Sequence, residues 1–81
     1  MKFYKSHKTV EASPIYRVNR ARIVGDQSYL IVNGGSLAID VPEDFFARGV
    51  PEIGDYLVRY QPDGYLSWSP KHVFEAGYTD L

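Results

Sequence analysis

Apolar and polar residues alternate with period two through much of the chain, most cleanly on either side of Pro62-Asp63-Gly64. Tyr56, Val58, Tyr60, Leu66 and Trp68 fall on one face of such a ribbon. Leu57, Arg59, Gln61, Tyr65, Ser67 and Ser69 fall on the other. Pro presets the first turn position, Asp tolerates the second, and Gly takes a left-handed third. A three-residue hairpin loop is therefore predicted, with Gln61 opposite Tyr65, Tyr60 opposite Leu66 and Val58 opposite Trp68. That register makes the first face core, Trp68 included, and leaves the second at least partly wet. Ser69-Pro70 then opens a short helix, with Ser69 as N-cap, Gly77 as left-handed stop and Phe74 as the core anchor.

Upstream, Thr9 to Val24 reads as one long, interrupted strand whose alternation switches phase near Asn19-Arg20. Pro14 has no N–H to give to a ladder, which places this strand at an edge or a bulge, and the phase switch marks a second bulge or bend. Arg17, Arg20 and Arg22 would project from that bent edge. Tyr29 to Val41 is a hairpin about a two-residue turn at Asn33-Gly34 or Gly34-Gly35. Either turn puts Leu30 and Val32 on the face of Leu37, Ile39 and Val41. Pro42 to Gly49 is a short helix with acids in its first turn. Pro42, Phe46 and Gly49 recur as Pro70, Phe74 and Gly77, 28 residues on. The expected architecture is mainly β (α+β): a small bent antiparallel sheet or half-open barrel of about five strands with two short helices. It forms a single domain over 1–81, divided into a lead-in arm (1–8), an edge strand (9–24) and two hairpin-plus-helix units (29–49 and 54–78).

Composition narrows the class. A chain of 81 residues that is 44% apolar and 15% aromatic is a folded domain rather than a disordered one. The lack of cysteine removes disulfides, thiol catalysis and cysteine zinc sites, and it favours an intracellular setting. No apolar run reaches membrane-span length and Met1 opens no signal-peptide pattern, so a cytoplasmic protein without membrane contact is expected. The net charge of −1 is unevenly spread. Residues 1–22 hold six Lys and Arg against Glu11 alone, and residues 23–81 hold three against nine acids. Arg17, Arg20 and Arg22 are then either a surface for phosphates or one half of a compensated mixed surface.

Candidate chemistry is sparse. His7 and His72 lack the spacing of a metal pair, and Ser67 and Ser69 alternate on a strand with no nucleophile elbow. Asn33-Gly34-Gly35 joins two strands instead of leading into a helix, so it is turn chemistry and no phosphate cradle. A non-enzymatic protein without cofactor or metal is expected. The better candidate is the wet face of the second hairpin, where Arg59, Gln61, Tyr65 and Ser67 would present a cation, a ring and hydrogen-bonding groups. Such a face suits a stacked nucleotide or the centre of a protein interface. Alternatively, Tyr65 and Leu57 cover a second small core.

His7, Lys8, Val10 and Ala12 form a His-Lys-x-Val-x-Ala pattern near the start. Gly54, Tyr60, Asp63, Gly64, Tyr65, Ser67, Ser69, Pro70, Phe74, Glu75, Gly77 and Tyr78 form a longer one near the end. In these two stretches the chain resembles the gene-66-like family of small tailed-phage and prophage proteins; residues 19–50 have no counterpart in the pattern. The resemblance implies a phage accessory protein acting in the host bacterial cytoplasm, and it carries over no catalytic or ligand residue. By analogy with such proteins, the expected function is to bind and inhibit a host protein, a defence component being one candidate. The alternatives are sequestration of a small nucleotide or nucleic acid through Arg59, Tyr65 and the three basic residues, and a minor structural or assembly role with self-association through a sheet edge.

Overall fold

Strand β2 (Thr9–Asn19) is the spine of the molecule, and every ladder but the outermost is built on it. The structure, a computed structural model, describes residues 1–5 and 9–80, without the side chains of Thr79 and Asp80. His7 and Lys8 lie outside the described residues. Around β2 stand β1 (Lys2–Lys5), β3 (Ser28–Val32), β4 (Leu37–Val41), β5 (Tyr56–Tyr60) and β6 (Leu66–Ser69). A seven-residue helix α1 (Lys71–Gly77) and a two-residue strand β7 (Thr79–Asp80) follow. The result is an open antiparallel sheet of six strands, with the two-residue β7 paired onto β1, together with one helix and two short 3-10 turns, as the alternation predicts in outline.

The expectation of an edge strand is corrected. Val10 to Ala12 pair with β1 on one side and with β5 on the other, so β2 is internal. Pro14 is tolerated because of where the ladders end. The Ile15 N–H donates to the Asp55 carbonyl at 2.7 Å on the β5 side, so by alternation the Pro14 nitrogen faces the opposite edge. There the β1 ladder stops at Ala12 and the β3 ladder begins at Ile15. The missing donor falls in the gap between them. The other alternative at Pro14, a bulge, lies close by: register slips between Ile15 and Arg17, leaving Tyr16 as the extra residue. Gly35 makes room for it, since a Cβ there would stand 3.3 Å from the Tyr16 ring. Strand β2 ends at Asn19 rather than Val24, and residues 1–5, expected as an arm, supply β1.

Two clusters make the core. Ile15, Leu30, Val32, Val41, Phe45, Phe46 and Leu57 form one; Val10, Ala12, Tyr56, Val58 and Phe74 form the other. The repeated Pro–Phe–Gly punctuation thus delivers one phenylalanine to each cluster, Phe46 from the 3-10 turn Glu43–Phe46 and Phe74 from α1. The β3–β4 loop runs over Asn33 to Ser36, not two residues, yet Leu30 still faces Ile39 and Val32 still faces Leu37.

Helix α1 is held by distant residues. Ser69 does not cap it; the Asp55 carboxylate accepts the Lys71 N–H at 2.9 Å, while its other oxygen accepts the Glu52 N–H at 2.9 Å. Gly77 keeps φ outside the left-handed region, and Tyr78 leaves the helix extended into β7. Removing one remote cap should therefore act as loss of a local one does: Asp55→Ala is expected to cost about 1 kcal/mol in urea unfolding, and Ser69→Ala almost nothing.

Candidate functional site

The β5–β6 turn decides which side chains meet. Tyr60 N–H donates to the Tyr65 carbonyl at 2.9 Å and Gly64 N–H to the Tyr60 carbonyl at 2.8 Å, so the loop is Gln61 to Gly64. Gly64 takes φ +78°, and an Asp63 carboxylate oxygen accepts the Tyr65 N–H at 3.2 Å. One residue more in the loop than expected shifts β6 by one position and turns its alternation over. Val58 faces Ser67, Leu57 faces Trp68 and Arg59 faces Leu66. Leu57, Leu66 and Trp68 pack on the first core cluster, while Tyr56 and Val58 belong to the second.

The expected constellation is split as a result. Arg59 lies 3.6 Å from the Glu11 carboxylate, and Gln61 Nε2 donates to the same oxygen at 2.9 Å, on the side away from Tyr65. Ser67 accepts from Arg48 Nη2 at 3.2 Å; the same nitrogen reaches the Trp68 carbonyl, and the guanidinium lies 4.9 Å over the Trp68 ring. This clamp covers part of the outer edge of β6. The Trp68 indole N–H beneath it is buried without an acceptor among the described residues.

Tyr65 instead joins Tyr60, Asp63, Ser67 and Tyr78 around a shallow, open groove of about 470 Å³. The Tyr60 and Tyr65 rings are 6.3 Å apart and tilted by 31°. The opposite wall rests on an aromatic stack: Tyr56 on Phe74 at 4.2 Å and Phe74 on Tyr78 at 4.6 Å, with Tyr4 edge-on to Phe74 at 4.9 Å. Helix α1 is pinned from the same side, as the Tyr56 hydroxyl donates to Glu75 at 2.9 Å and Lys71 Nζ to the same oxygen at 3.1 Å. These bonds, Lys71 first, hold the Glu75 carboxyl below its usual range. Of the groove residues only Tyr65 and Ser67 stood among the sequence candidates. For Tyr60 and Tyr78 the signal in the sequence is the four tyrosines between Tyr56 and Tyr78.

Burial raises the phenol of Tyr78, and the neighbouring Tyr60 hydroxyl adds to the effect by charge and hydrogen bond. Because the folded value lies above the ordinary one of about 10, this contribution to stability is full below that pH and is lost as pH rises through the raised value. Ultraviolet titration should show the Tyr78 tyrosinate forming above the ordinary tyrosine value. Tyr60→Phe should bring it part of the way back, burial being the larger cause.

The basic trio does not reach the groove. Arg17 is exposed on β2 opposite Ile31. Arg20 bonds Glu43 at 2.7 Å and lies 5.0 Å over the Phe46 ring. With Arg22 it lines a second depression, which also holds Asp26 and Glu43. Cations there have carboxylates beside them.

No family model matches this chain. No curated protein and no solved structure matches it either. Among the described residues no cluster of three or more His, Cys, Asp or Glu is placed to hold a metal ion, and no helix is long and apolar enough to cross a membrane.

Proposed function

We propose that the chain is a non-enzymatic binding protein that docks a partner protein on its tyrosine groove. The observation that carries this reading is an exposed aromatic surface on a rigid base. Tyr65 is 59% exposed, yet it sits on a hydrogen-bonded turn beside a three-ring stack anchored by a buried phenylalanine. Tyrosine gives large contact area for little lost rotamer freedom, which is why it is enriched where binding energy concentrates. The motif resemblance supports the setting: a phage accessory protein whose partner is a host protein in the bacterial cytoplasm, inhibited by being bound. Nucleotide sequestration through Arg59 and Tyr65 together has less support, because Arg59 is engaged with Glu11 on the side of the sheet away from Tyr65. Self-association is supported by one feature, the outer edge of β4, which pairs only with β3.

The test is affinity capture of the host partner followed by titration of the two purified proteins. Tyr65→Ala is expected to weaken binding by at least about tenfold, which corresponds to roughly 1.4 kcal/mol, while Arg17→Ala leaves it unchanged. Equal affinity of the Tyr65→Ala protein would reject the groove as the interface.

A further inference from the structure

Among the described residues, strand β4 is the least protected edge of the sheet. The outer side of β1 takes β7, and the outer edge of β6 takes the Arg48 clamp on its Trp68 carbonyl. Strand β4 pairs with β3 alone along its five residues, Leu37–Val41. At one end a side chain reaches its backbone, where Gln27 Nε2 donates to the Val41 carbonyl at 3.0 Å. Natural edges are blunted with proline, lysine or a bulge, and β4 carries none of these.

Its side chains suit a second copy of the same strand. Leu37, Ile39 and Val41 lie on the face of the first core cluster. Val41 is buried, Ile39 packs on the cluster, and Leu37 is still 41% exposed. Ala38 and Asp40 lie on the opposite face, both exposed. Two copies related by a two-fold axis through Ile39 would extend the sheet antiparallel and pair all five residues. Leu37 then meets Val41 of the second copy, Ile39 meets Ile39, and Asp40 meets Ala38. The apolar face runs on from one core to the other, and no like charges stand opposite. Moving the axis to Asp40 would set two carboxylates against each other. Moving it to Ala38 would carry Val41 past the opposing strand to Gly35 of the loop.

We infer that the chain forms a symmetric dimer through β4, the two strands pairing antiparallel about Ile39 into one continuous sheet. The inference stands apart from the tyrosine groove. Strands β3 and β2 lie between β4 and β5, so the dimer leaves both grooves open and presents them as a bivalent pair. A five-residue edge buries less than the roughly 1,000 Å² of a stable interface, so the dimer is reversible, with a dissociation constant on the order of 100 µM.

The test is sedimentation equilibrium of the full chain from about 10 µM to about 1 mM, which brackets such a constant. Monomer should give way to dimer and to nothing larger, since a two-fold contact closes on itself. Ala38→Asp should weaken the dimer about fivefold and Ala38→Lys tighten it about fivefold, because position 38 faces Asp40 twice in each dimer. Ala38 is exposed, so both variants should melt close to the parent protein. Tyr65→Ala should leave the association unchanged. Monomer throughout the range overturns the inference and leaves the β4 edge to an extended segment of another protein. Association that continues past the dimer, that both charges weaken alike, or that is lost with Tyr65→Ala overturns it too, by placing the contact elsewhere.

Discussion

Phe74→Ala is expected to lower stability by about 3–5 kcal/mol, most of what a domain of this size possesses. Phe74 is 1% exposed and is the only buried residue of α1. Its ring is stacked between Tyr56 and Tyr78 and edge-on to Tyr4, so truncation opens a hole bounded by three further rings. A seven-residue helix has no independent stability and follows its anchor. Thermal unfolding should show a melting temperature lower by roughly 15 °C or more. The tyrosine groove should go with it, because Tyr78 stands on Phe74. A loss below about 1 kcal/mol would mean that α1 does not close the second cluster.

Leu57→Ala is the second large effect, expected at about 2–5 kcal/mol. The alternation in sequence places Leu57 on the wet face with Tyr65, yet Leu57 is fully buried against Trp68 and the first core cluster. Tyr65→Ala should stay within about 0.5 kcal/mol of the parent protein, as expected for an exposed site. Urea unfolding of the two variants reads the register of β5–β6 directly. Similar costs for both would restore the three-residue loop and its faces.

That pair shows where the sequence is legible and where it is not. Both hairpins follow from period two and from glycine-rich turns, and the helical segments follow from Pro and Gly punctuation with a phenylalanine between them. Local chemistry suffices for elements of that kind. Register is different: Pro62-Asp63-Gly64 suits loops of three or four residues equally, and one residue reverses every side chain on β6. The place of β2 was hidden because Pro14 excludes an interior strand only where a partner awaits its missing donor, and the ends of β1 and β3 leave none. The cap of α1 comes from Asp55, sixteen residues before Lys71, so no local pattern could announce it. The site was half visible for the same reason. Tyr65 and Ser67 are found by composition, but Glu11 takes Arg59 and Gln61 through a cross-strand contact, and Tyr78 reaches the groove only because α1 folds back over β5.

The most direct measurement is photo-crosslinking in bacterial cells, with benzoylphenylalanine in place of Tyr65 and, separately, in place of Arg17. One host protein joined to the chain from position 65 and not from position 17 is the expected result. Equal labelling from both positions, or none from position 65, would contradict a protein-binding role for the tyrosine groove.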